Sequence, residues 1–109
     1  MRFLFAVIAD SSKEVAATAN ERLAIDEFNE KLEAEGHRVM AAGVAAPSSA
    51  TLFDNRNGLG RVTTGPAVDS DLFMAGFWVI EAADDSVAHG LAAEASLACN
   101  RLIEVRRFL

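Results

Sequence analysis

Two runs in this chain are apolar on both parities, and they restrict its fold more than any other feature. Residues 2–9 read RFLFAVIA and residues 75–81 read AGFWVIE. A strand with one wet face alternates apolar and polar side chains, so runs like these belong to strands covered on both sides. The covering layers must come from the rest of the chain or from another molecule.

The rest of the chain supplies two helices. Ser11 followed by Glu14 is a capping-box pattern, which predicts a helix reaching about Glu35. Ile25, Phe28 and Leu32 form its apolar stripe, and Gly36 sits where a left-handed residue ends a helix. The second helix is capped by Asp84 or Asp85 and runs to about Cys99, with Val87, Leu91, Ala95 and Ala98 as its buried stripe. Gly90 inside it costs about 1 kcal/mol against Ala, and Asn100 suits its left-handed end.

Between the helices lie more strands. Residues 37–46 form a small-residue strand that Pro47 ends. Residues 51–54 and 61–64 flank Asn57-Gly58, a strong hairpin signal. Gly65-Pro66 closes the hairpin, and a connector carrying Asp69 and Asp71 leads to residues 75–81. Residues 102–108 form the closing strand.

The expected order is β-α-β-β-β-β-α-β, an α+β, ferredoxin-like fold with the hairpin as an elaboration. Right-handed crossovers put both helices on one face of the sheet. The other face is then an uncovered apolar surface, and a second copy of the same face is its economical cover. A homodimer with a pocket between the sheet and the connecting loops is the expectation.

Composition bounds what such a chain does. At 109 residues and 51% hydrophobic it reads as one domain, 1–109, with a core. The net charge is −6 and the longest basic run is Arg106-Arg107, which argues against nucleic acid and anionic membranes as partners. The opening run reads as a strand and not a signal peptide. The single Cys99 excludes an intramolecular disulfide and fits a reducing, cytoplasmic location. No pattern calls for a metal or a cofactor.

The order of several short motifs resembles the YCII-related family, whose best-marked branch carries Asp-Gly-Pro-Phe. The corresponding residues here are Thr64-Gly65-Pro66-Ala67, then Ala75-Gly76-Phe77-Trp78, then Ile103-Glu104-Val105-Arg106. The resemblance covers essentially the whole chain and implies a dimeric α/β-barrel. Relatives regarded as enzymes pair a His on the first helix with the Asp of the Gly-Pro turn. Those positions are Ile25 and Thr64 here, so the acid/base dyad of those relatives is absent.

The candidate site residues each carry a structural alternative. Thr64, Gly65 and Pro66 either offer backbone amides at a pocket rim or simply turn the chain. Asp69 and Asp71 are alternate residues of an extended connector, able to act together or to lie solvated. The resemblance favours Asp69. His37 opens a strand and His89 lies off the buried stripe, so either is a proton-transfer candidate or a surface residue. Cys99 at a helix C-terminus has no activating partner in the sequence and reads as a small buried hydrophobe. Arg106, with Arg101 and Arg2, offers an anion contact, with Glu104 competing for Arg106. Trp78 and Phe77 point to opposite faces, so one packs under the helices and the other towards the pocket.

The reading is a small-molecule-binding protein whose ligand contacts are Thr64, Gly65, Pro66, Asp69, Trp78 and Arg106. One alternative is a lyase-like acid/base enzyme acting on a small aromatic or anionic substrate, using Asp69 or His37. The other is a protein-interaction or regulatory module, since relatives of the resembled family occur fused to or near transcription initiation factors.

Overall fold

A computed structural model describes residues 1–109. The first apolar run forms β1 (Arg2–Asp10), and the second forms β5 (Leu72–Glu81), which starts three residues earlier than its apolar signal. They pair antiparallel at the centre of the sheet, with Phe3 opposite Ile80 and Phe5 opposite Trp78. β2 (Arg38–Gly43) pairs with the outer edge of β5, and β6 (Leu102–Arg107) with the outer edge of β1. The order β2-β5-β1-β6 with every neighbour antiparallel is that of a ferredoxin-like α+β fold.

Both helices, α1 (Ala19–Ala34) and α2 (Asp85–Cys99), lie on one face. Phe3, Phe5, Trp78 and Ile80 pack there against Phe28 and Leu32 of α1 and Leu91 and Ala95 of α2. The opposite face carries Leu4, Ile8, Phe77 and Val79, each only half-buried. No helix is long and apolar enough to cross a membrane.

The first helix begins later than its first capping box suggests. The Ser11 hydroxyl, needed as an acceptor by such a cap, donates to Asp71 Oδ1 at 2.9 Å, and Ser11 N–H donates to the Asp71 carbonyl at 2.8 Å. The working cap is Thr18, whose hydroxyl accepts from Glu21 N–H while Glu21 Oε1 accepts from Thr18 N–H. At the other end Gly36 takes φ +74°, and the N–H groups of Gly36 and His37 close back on Glu33 and Leu32.

The buried stripe of α2 is rotated by one residue from the expected one. Asp84 caps the helix, Val87 in the first turn is exposed, and Ala88, Leu91, Ala92, Ala95 and Cys99 face the sheet. Small residues on that stripe let the helix approach closely. Asn100 ends it in the left-handed conformation, as expected.

The hairpin, β3 (Thr51–Asp54) with β4 (Arg61–Thr64), is a separate two-stranded sheet. Its loop is longer than a two-residue turn: Asn57, Gly58 and Gly60 all take positive φ, and Asn55 Oδ1 accepts from Gly60 N–H. The hairpin stands away from the main sheet as an arm. The radius of gyration is 15.8 Å, against about 13 Å for a compact chain of this length.

Two glycines inside regular elements respond oppositely to a methyl group. A Cβ on Gly76 would stand 2.8 Å from the Ala42 carbonyl oxygen, whereas one on Gly90 meets nothing within 4 Å. Gly90→Ala is expected to raise stability by about 0.5–1 kcal/mol and Gly76→Ala to lower it by about 1–3 kcal/mol. Urea unfolding of the two variants checks both signs.

Candidate functional site

Gly76 is opposite Gly43 in the β2–β5 pairing and opposite Val7 in the β1–β5 pairing. The two glycines face each other on the helix side of the sheet, and Gly43, with only the Ala75 carbonyl near its Cβ position, leaves unfilled the space that a side chain would occupy beneath α1. The result is an open, mostly apolar cavity of about 330 Å³, walled by Val7, Ile25, Ala41, Trp78 and Cys99. Ligand cavities of proteins begin at about this size and have this mix of apolar wall and few polar groups. Burial pushes the Cys99 thiol up from its usual range, which keeps it protonated and inert.

The polar groups of the wall are Asn29 and Arg38. Trp78 is buried, edge-on to Phe28 with ring centroids 5.5 Å apart, and its indole N–H donates to Asn29 Oδ1 at 2.8 Å. Arg38 Nε donates to the same oxygen at 3.3 Å. Two donors converging on one atom fix the orientation of the amide, so its NH₂ turns away from both. Arg38 Nη1 stands 3.5 Å from Glu33 Oε1.

The residues singled out in the sequence do not form one site. Trp78 lies under the helices, while Arg106 is opposite Leu4 on the other face, exposed, with Nε donating to Glu104 Oε1 at 3.0 Å. Thr64 is paired across the hairpin with Thr51. Gly65 takes φ +114° and its N–H is used by the Ala50 carbonyl at 2.7 Å. Pro66 has no N–H, so the Gly-Pro turn offers no amide to a ligand. Pro66 and Asp69 border an open groove with Phe73 and Met74. Asp71 is held by Ser11, so the two aspartates do not act as a pair.

His37 borders none of these cavities. Its Nδ1 is 2.8 Å from the Glu81 carbonyl oxygen, which only a protonated Nδ1 can satisfy, and Nε2 is 3.7 Å from Glu35 Oε2. It fastens the start of β2 to the end of β5. His89 is exposed on α2. Neither histidine is set beside a cavity with an acid within hydrogen-bond reach, the geometry that general acid/base work requires.

Arg101 binds the chain to itself. Its guanidinium reaches Glu21 Oε2 and the carbonyls of Cys99, Asn100, Glu14 and Val15, with the side chain 14% exposed. It is a staple between the end of α2, the start of α1 and the segment that precedes it, and the nearby depression holds polar groups already bonded to one another. The residues that sequence reasoning missed are Asn29, Arg38, Gly43 and Gly76. A glycine within a strand pattern signals close backbone approach, but nothing local says that two of them will face each other.

A ferredoxin-like sheet with one helical layer and an apolar cavity under its first helix defines a small α+β domain. The chain belongs to the YCII-related domain family, whose model matches residues 1–109. No curated protein matches it.

The Thr18 N–H, then the Asn100 amide and the Arg101 guanidinium, hold the Glu21 carboxyl below its usual 4.5. Its contribution to stability is therefore complete above that value and is lost as pH falls through the lower folded one. Glu21→Gln should shorten the acid limb of the melting-temperature profile. Arg101→Gln should cost on the order of 1–2 kcal/mol at neutral pH, because it removes several charge-assisted hydrogen bonds made by a largely shielded guanidinium. Thermal melts from pH 7 to about pH 3 read both.

Proposed function

We propose that this protein is a homodimer that binds small molecules in the cavity beneath α1, without acid/base catalysis of the dyad type. The observation that carries the binding reading is the cavity itself, left open by Gly43 beside the buried Trp78 ring. The positions where the resemblance would put the dyad are Ile25 and Thr64, the first an apolar wall of the cavity and the second exposed at the base of the arm.

The second face of the sheet supports self-association. Leu4 and Val79 face each other at its centre, Phe77 lies beside them, and Arg106 and Glu104 form a polar rim on β6. An apolar centre with a polar rim is the anatomy of an interface, and a face contributed twice satisfies two-fold symmetry. The arm adds a second apolar surface: Phe53 is 70% exposed and pairs with exposed Val62. An isolated two-stranded hairpin is marginally stable in water, so contact with a partner copy would steady it. The same surfaces would serve a regulatory module, but their being apolar on one chain favours a like partner.

One experiment addresses both halves of the proposal. Sedimentation equilibrium should give twice the chain mass, and Phe77→Glu should give a folded monomer. In a fragment screen by NMR, hits should shift the resonance of the single indole N–H, and Gly43→Leu, whose added Cβ has only the Ala75 carbonyl near it at 3.8 Å, should abolish them. A wild-type monomer sinks the assembly, and hits indifferent to Gly43→Leu sink the cavity.

A further inference from the structure

The mouth of the cavity is electrically asymmetric. Its wall is built by Val7, Ile25, Ala41, Trp78 and the glycine pair, yet both polar residues on it present donors. Asn29 Oδ1 is already shared by Trp78 Nε1 and Arg38 Nε. That leaves the Asn29 NH₂ group without an acceptor in the chain. Arg38 uses Nε on Asn29 and sets Nη1 beside Glu33, 3.5 Å away, while Nη2 has no partner. The Arg38 side chain is 29% exposed, partly desolvated by α1, and Glu33 opposite it is 62% exposed.

From this arrangement we propose that the cavity takes small monocarboxylates with a flat apolar body. The carboxylate sits between the Arg38 guanidinium and the Asn29 amide, and the body lies over Gly43 and Gly76 against Trp78. Arginine presents parallel N–H groups that match the two oxygens of a carboxylate. Gly43, with no side chain and only the Ala75 carbonyl near its Cβ position, gives the space that an aromatic or branched aliphatic body needs. A neutral molecule of the same shape fills the wall but leaves the donors unmatched, so the anion is preferred. Trp78, packed edge-on against Phe28, holds Asn29 in place from the core side, which orients the donors before a ligand arrives. Glu33 is the built-in competitor for Arg38, and its removal favours the anion.

This inference rests on the cavity reading above and fails separately from it. The probes are benzoate and benzyl alcohol, similar in shape and different in charge, titrated against the whole protein while the single Trp indole N–H resonance is followed. Benzoate is expected to bind about tenfold tighter than benzyl alcohol, the order of one charge-assisted hydrogen bond. Arg38→Gln should erase that preference, so that benzoate and benzyl alcohol bind with similar affinity. Glu33→Gln should strengthen benzoate binding severalfold, a gain that a misfolded variant does not give. Equal affinities, unaltered by Arg38→Gln, would overturn the carboxylate assignment and leave an apolar cavity. Binding of neither probe to the wild type would overturn both the assignment and the cavity reading.

Discussion

The antiparallel pairing of β1 with β5 is the constraint on which the remaining structure depends. It runs from Arg2 opposite Glu81 to Asp10 opposite Leu72, with a bulge between Val7 and Ile8. Side chains on a strand alternate, so a slip of one residue would exchange every core position with the open face. In the observed register Phe3, Phe5, Trp78 and Ile80 share the helix side and fill the core. The same register sets Val7 across from Gly76, and β2 then brings Gly43 to the same place. Core and cavity are consequences of one alignment. Gly76 is required there because a Cβ would strike the Ala42 carbonyl. Gly43 has no such neighbour, so its lack of a side chain opens space without being needed for the pairing.

A chain of polar contacts links this core to the surface. A buried indole must find a partner for its N–H, and Trp78 finds Asn29, which in turn receives Arg38. The amide is thus held by an apolar ring on one side and a cation on the other. Such an arrangement lets a buried aromatic group fix the position of a partly exposed donor cluster. The exposed ion pairs elsewhere, such as Arg106 with Glu104 and Lys31 with Glu94, are worth little by comparison, since solvent screens them and both partners are mobile. Arg101 differs because it is shielded and answers several carbonyls at once.

Helix α1 shows how tertiary contacts overrule a local signal. Ser11 and Glu14 have the spacing of a capping box, and so do Thr18 and Glu21. The second is used because Ser11 is engaged by Asp71 across sixty residues and Arg101 holds the carbonyls of Glu14 and Val15. A segment whose acceptors are already taken by a distant arginine has no need to enter a helix. The stripe of α2 has a similar origin. Both Val87 and Ala88 fit a helical period, and the sheet selects Ala88 because its small side chain permits close packing.

The sequence by itself determined the element types, their order, the ferredoxin-like arrangement, the hairpin at Asn57-Gly58, and the ends at Gly36 and Asn100. These follow from periodicity and from residues that tolerate positive φ, which are properties of neighbours along the chain. The family resemblance was legible in the same way, from motifs kept in order. The sites were legible only in part. Trp78 lines a cavity beneath α1, but Arg106, expected beside it, lies on the opposite face, and Gly65 spends its amide on Ala50. Asn29 and Arg38 carry no local mark, and the two strand glycines do not tell from the sequence that they will face each other. They meet only because β2 docks on β5 in one register beneath α1. Periodicity says which way each side chain points from its own element, and only the docking of elements decides what it points at.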